Sequence, residues 1–313
     1  MVPVRQSWQL RSFPSCVARA GCLVSQLEPR GNFSDAELRR LLQQCPLVSS
    51  LSMLSTERKS LSALAAFPQV TTLSLQQAQS GLDTSASWRR QLRGLSRLVS
   101  LRDLHIHNMQ YYDISPVSAL TGLYSLSVHE KSPIVFSSVD DLTEREVNSI
   151  SVLHSLTHLQ LSSCPPIKCI EALTNLRCLK FTGGFDVEKA DSLSRLTRLD
   201  WNYKIKPTSV HGVRAAQSMT GLKHFCFKAV VLHGLEHFST LTNLTTLKLD
   251  TCEAMHEHDI SVLSTLTGLH DLTLQYWISG YKMQLSSVVG ANVSVSRLQD
   301  CKYGYGEFFG QGM

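Results

Sequence analysis

Nowhere in the 313 residues does an apolar run approach the roughly 18 consecutive residues that cross a bilayer, so no membrane-spanning helix is expected. Charge is also scarce. Asp, Glu, Lys and Arg make up 18% of the chain, against about a quarter in an average globular domain. A surface this short of ion pairs has to be built from Ser, Thr, Gln and His. The net charge of +5 is small for the length and argues against a nucleic-acid partner held by charge alone. No Cys-x-x-Cys occurs among the nine cysteines, which removes the usual zinc and dithiol motifs. Their odd number, in a chain long enough to bury a core, also argues against a disulfide framework. They read as reduced thiols in an intracellular, cytoplasmic protein. Acidic residues are absent from residues 1–27, which do contain Arg5, Arg11 and Arg19. A mitochondrial presequence has that composition, so a mitochondrial location stays open beside the alternative of a polar cap.

What the chain has in quantity is leucine at fixed spacing. The pattern Leu-x-x-Leu-x-Leu, with conservative replacements, occurs ten times. Its middle residues are Leu51, Leu73, Leu104, Leu126, Leu159, Leu179, Leu199, Phe225, Leu247 and Leu272, spaced 20 to 33 residues apart. A degenerate copy at Val293-Ser294-Val295 closes the series. A recurrent period in the twenties is the signature of a solenoid. In Leu-x-Leu the side chains alternate, so the leucines enter the core and their neighbours face out. Three buried leucines contribute roughly 1.5–3 kcal/mol each, while ordering some two dozen residues costs about 1–2 kcal/mol apiece. A single copy cannot fold alone and must stack on its neighbours.

The segments between copies repeat as well. Asp113-Ile114-Ser115-Pro116-Val117 leads to Leu120-Thr121-Gly122-Leu123, and Asp259-Ile260-Ser261-Val262 leads to Leu266-Thr267-Gly268-Leu269. The shared grammar is an Asp that can cap a short helical turn, an inward Ile, and a return to the strand. On these residues the chain resembles the leucine-rich repeat superfamily. "DISPVSALTGLYSLSV" looks like the short units of bacterial internalins and the phosphatase regulatory subunit. "FSDAELRRLLQQCPLVSSLSML" is similar to the longer cysteine-containing units of F-box-associated repeats, and such mixtures occur in protozoan leucine-rich repeat proteins. The resemblance implies an α/β solenoid of about ten to eleven repeats. A curved parallel sheet would form its concave face, with short helices and loops on the convex face. Family repeats usually place Asn or Cys three residues past the last strand leucine. Here Cys164 and Cys252 fit, whereas Ala78, Met109, Lys131, Gly184 and Trp277 depart. The expected organisation is residues 1–33 as N-terminal cap or presequence, 34–298 as the repeat domain, and 299–313 as a tail.

The resemblance also implies binding on the concave face, so the outward strand positions are the candidate site. His105, His107, His129 and His158 fall on three consecutive strands. Lys180, Arg198, Asp200, His224, Lys228, Lys248 and Asp250 follow. A neutral half beside a mixed-charge half suits a protein partner better than a polyanion. Chemistry is not expected. His224 and Cys226 stand two apart on one strand, roughly 7 Å between Cβ atoms, whereas a nucleophile and its base must touch. No glycine-rich turn is nearby to form an oxyanion hole. His256-Glu257-His258-Asp259 resembles a metal site, but a closed zinc site needs four ligands and this stretch offers two histidines on one side. The aligned residues Gln110, Tyr111 and Tyr112 carry no ligand. It reads as a loop, with no metal and no cofactor. Phe181, Trp201 and Phe227 occupy inward positions and read as core.

Two longer gaps predict convex helices: a basic one over residues 85–97 with Arg89, Arg93 and Arg97 in a stripe, and an acidic one over 138–147 opened by Ser138 and Asp141. The sequence thus predicts a non-catalytic protein-interaction module or scaffold. The alternative is an adaptor within a larger machine, either a ubiquitin-ligase substrate receptor or a mitochondrial ribonucleoprotein component. No F-box or RING-type spacing precedes the repeats.

Overall fold

The leucine spacing changes along each copy, and the backbone changes with it. In Leu120-x-x-Leu123-x-x-Leu126-x-Val128 the apolar period is three and then two. A backbone with three residues per turn carries the first part, as in a 3₁₀ helix. Leu120 N–H donates to Val117 O at 2.9 Å and Leu123 N–H to Leu120 O at 2.8 Å. A strand carries the second part, and all four side chains are buried. Leu241, Leu244, Leu247 and Leu249 repeat the arrangement.

The computed structural model describes residues 8–10, 25–29, 34–55, 61–77, 92–109, 114–130, 148–167, 170–185, 192–202, 217–229, 235–251, 262–276 and 292–297. The chain divides into two compact units, residues 1–196 and 197–313. The first contains β1 (Trp8–Leu10), β2 (Gln26–Pro29), β3 (Ser50–Ser55), β4 (Thr72–Gln77), β5 (Asp103–Met109), β6 (Ser125–Glu130), β7 (His158–Ile167) and β8 (Cys178–Phe185). Each pairs in parallel with the next. The second contains β9 (Arg198–Asn202), β10 (His224–Ala229), β11 (Thr246–Thr251), β12 (Asp271–Tyr276) and β13 (Asn292–Arg297), again parallel in sequence order. All ten middle residues of the pattern lie in these strands, 2% exposed or less. The closing copy at Val293-Ser294-Val295 forms β13. β1 and β2 lie within residues 1–33, so the parallel sheet starts ahead of residue 34, with Leu27 already in the core.

Repeats are tied together at the start of most strands. One carbonyl accepts from two successive N–H groups of the next repeat. Arg102 O accepts from Tyr124 and Ser125, Tyr124 O from Thr157 and His158, and Lys223 O from Thr245 and Thr246. The Leu-Thr-Asn-Leu copies add a side-chain rung. Asn175 Nδ2 donates to His154 O at 2.8 Å and Asn243 Nδ2 to Thr220 O at 2.9 Å. In the Leu-Thr-Gly-Leu copies the same position is a close approach. A Cβ on Gly268 would lie 3.2 Å from Thr242 O, and on Gly122 it would meet the Arg102 guanidinium, whose Nη1 donates to Gly122 O at 2.8 Å.

The helix α1 (Asp35–Gln44) is fixed by a capping box. Glu37 N–H donates to Ser34 Oγ at 3.3 Å and Ser34 N–H to Glu37 Oε2 at 2.7 Å. Leu38, Leu41 and Leu42 form its buried face. Several other returns contain 3₁₀ turns, while residues 92–93, 148 and 262–263 are α-helical. The turn Ser115–Ala119 has Ile114 at its N-cap, with no side-chain cap. Ile114 is fully buried, and Pro116 in the first turn has no N–H to satisfy. Of the basic helix predicted over 85–97, residues 92–93 are α-helical and Gly94–Arg97 form a 3₁₀ turn. Asp113, Asp259, the His256–Asp259 stretch, residues 85–91, the helix at 138–147 and the tail at 299–313 lie outside the described residues.

Candidate functional site

In the first unit, strand alternation places Ser74, Gln76, His105, His107, Ser127, His129, Gln160 and Lys180 on the face away from the core. Register then decides which of them meet. His107 pairs directly with His129, and His105 with Ser127. The His107 and His129 rings stack with centroids 4.9 Å apart and planes 6° apart, and His105 stacks on His107 at 6.3 Å and 15°. Three imidazoles therefore form one stack over β5 and β6, just ahead of a register shift between His107 and Met109.

Hydrogen bonds fix the state of His129. Gln160 Nε2 lies 3.4 Å from Nδ1, and an amide N–H only donates, so Nδ1 accepts. With the amide in this orientation, Nε2 carries the hydrogen shared with Ser127 Oγ at 2.8 Å. Ser127, 6% exposed, is the one buried polar residue among those described. Burial pushes the His129 pKa down, and the positive charge of His107, Lys180 and His105 adds to it. Burial and then His105 lower that of His107. Neutral rings stack; two imidazolium rings at this separation would repel. Nor do the rings converge on a metal. Ring lone pairs lie in the ring planes, which here are nearly parallel, and among the described residues no three His, Cys, Asp or Glu could share an ion.

His158 does not join the stack. It lies opposite Ser125 and Cys178, its Nδ1 is 2.8 Å from Thr157 Oγ1, and its ring tilts against Tyr124 at 5.4 Å. Lys180 lies opposite Gln160 and is exposed. Ser127, Gln160 and Tyr124 were not singled out from the sequence. The first two were legible as outward positions beside His129, but the tautomer they set required side-chain positions.

The second unit carries the remaining candidates, and here much of the charge is paired. Arg198 Nη2 meets Asp200 Oδ2 at 3.1 Å, and Lys228 Nζ meets Asp250 Oδ2 at 2.7 Å across β10 and β11. Cys226 lies between Asp200 and Lys248 in register, with His224 two residues before it opposite Arg198. Burial, then Asp200 and less so Asp250, raises the Cys226 thiol pKa, against smaller lowering contributions from Lys248 and Arg198. A thiol held protonated is a poor nucleophile. Cys45 is fully buried, and Cys178 and Cys226 are half-buried. Trp201 and Phe227 pack edge to face at 5.1 Å in the core of this unit, and Phe181 is buried in the first.

These repeats define a leucine-rich repeat solenoid, and solved structures share the fold. The chain is similar to an internalin (inlF) of Listeria monocytogenes, with TM-score 0.57 and 19% identity over 88% of this chain and 78% of that one. It is similar to a leucine-rich repeat protein of Leptospira interrogans, with TM-score 0.58 and 14% identity over 92% and 76%. TLR13 in complex with ssRNA13 matches with TM-score 0.57 and 20% identity, over 90% of this chain but 41% of TLR13. No family model and no curated protein matches the sequence. Among the described residues, no helix is long and apolar enough to cross a membrane.

Proposed function

We propose that the chain is a non-catalytic intracellular interaction module that holds a protein partner on the open face of its parallel sheet. The observation that carries this reading is the His105–His107–His129 stack with its Ser127 and Gln160 partners. Parallel sheets are ordinarily covered on both faces. Here one face is covered by the repeat core, while the other presents an ordered, polar, half-exposed surface. Rigid side chains lose little entropy on binding, so such a surface favours association. The raised Cys226 pKa argues for a binding role over acyl or thiol chemistry there.

A tagged full-length chain recovers partners by pull-down with mass spectrometry. A photoreactive residue in place of Gln76 or Gln160 should then cross-link the recovered partner, and the same residue in place of Arg39 on α1 should not. Cross-linking from Arg39 alone would move the interface off the sheet.

A further inference from the structure

The ionisable groups on the described outward positions of β3 to β8 are unevenly placed. Asp103 sits at the strand start, where its Oδ2 accepts from Thr72 Oγ1 at 3.3 Å. In the next two outward rows every ionisable side chain is basic: His105, His107, His129 and Lys180. Ser and Gln hydroxyls and amides fill the positions between them. No Arg, and no aromatic ring other than the histidines, occupies these positions among the described residues. This composition discriminates between ligands. Single-stranded nucleic acid is held by several phosphate-binding cations and by aromatic stacking platforms. Here there is one permanent cation, and the imidazole faces are already stacked on one another. A carboxylate needs only one cation and a few N–H and O–H donors.

We propose that this face binds an acidic segment of a partner protein, with carboxylates seated on Lys180 and on the edge of the histidine stack. The proposal rests on the protein-interaction reading above and assigns the chemistry of the partner. Binding should be coupled to proton uptake. In the free protein His129 accepts from Gln160 and stacks neutral on His107. A carboxylate alongside favours the protonated ring, and Gln160 can rotate its amide to offer Oε1 in place of Nε2. The groups facing His129 are His105 and His107 from β5, Gln160 from β7 and Lys180 from β8, with Asp103 and His158 at the strand starts. Of these, His107, Lys180 and His105 oppose a charge on the free ring, so a bound carboxylate supplies the missing counter-charge. Affinity therefore rises as pH falls through the histidine range.

Four strands about 4.8 Å apart span about 15 Å, which an extended peptide of ~10 residues at ~3.3 Å per residue crosses easily. The test uses the full chain and fluorescently labelled peptides of that length: a Glu-rich peptide, its Gln counterpart and a Lys-rich peptide, with an oligouridylate as the nucleic-acid arm. Anisotropy is read at low salt at about pH 7.5 and about pH 6. The Glu-rich peptide should bind best and tighten at least about threefold at the lower pH. Lys180→Gln should weaken it about threefold, in the range of an exposed ion pair. His129→Gln should abolish the pH dependence, while Arg39→Gln on α1 should change nothing. Equal binding of the Glu and Gln peptides, preference for the Lys-rich peptide, binding of the oligouridylate alone, or a Glu affinity indifferent to pH would each overturn the proposal. Suppose no peptide binds, yet His129→Gln abolishes binding of a protein found by pull-down. The acidic assignment then falls and the interaction reading stands.

Discussion

At the scale of single residues, the stack is built for neutral imidazole. His107 and His129 are both lowered from the ordinary histidine value of 6.5, chiefly by burial. The unfolded chain then binds more protons than the folded one between the lowered pKa values and about 6.5, so stability rises with pH across that window. The free protein should melt at a constant temperature down to about pH 7 and then lose stability as the pH falls below about 6.5. His107→Gln with His129→Gln should flatten that slope. Melting curves of both proteins from about pH 7.5 to 5.5 check it, and an unchanged slope would place the titrating groups elsewhere. Cys226 gives a second test at the same scale. Its raised pKa predicts alkylation by iodoacetamide at neutral pH slower than that of a free cysteine peptide. Mass spectrometry of the labelled site reads the rate, and a faster reaction would reopen the question of thiol chemistry.

At the scale of elements, the repeat is a change of period, from three in the 3₁₀ return to two in the strand. Leu247 is fully buried in β11, so Leu247→Asp buries a carboxylate without a partner, a change that costs several kcal/mol (roughly 4 or more). Soluble expression and cooperative melting should both be lost. A wild-type melt would show that this strand is out of register. Asn243→Ala is a milder probe. It removes the rung to Thr220 O and should cost about 1 kcal/mol, seen as a small shift in the denaturant midpoint. The leucine strands were legible because their spacing recurs. β1 and β2 were not, because strands of three and four residues contain too few apolar positions to register as a pattern. The box at Ser34-x-x-Glu37 was readable in principle, as a Ser three residues before a Glu ahead of an apolar run. Asp113, expected to cap its turn, lies outside the described residues, while the inward Ile expected after it is the buried Ile114. The helix expected over 85–97 gives way to a 3₁₀ turn at Gly94–Arg97.

At the scale of the whole molecule, the fold was readable from one recurring pattern, whereas the site was readable only to the level of a face. Alternation places His105, His107, His129 and His158 outward. It cannot say that three stack while His158 turns to Tyr124, because that depends on rotamers and on cross-strand register. The same limit applies to charge. Lys228 and Asp250 read as separate charges in the sequence, and become a pair only when β10 and β11 align them. The central claim is that the open face of β5 to β8 is where a partner binds. The most direct measurement is the affinity of the recovered partner for the wild-type chain and for a triple variant, His105→Ser, His107→Ser and His129→Ser. These side chains lie outside the core, so the variant should keep the wild-type melting temperature at neutral pH to within a few degrees (about 2–4 °C). The account predicts that its affinity falls about tenfold or more, equivalent to about 1.4 kcal/mol. Equal affinity in a folded triple variant would contradict it.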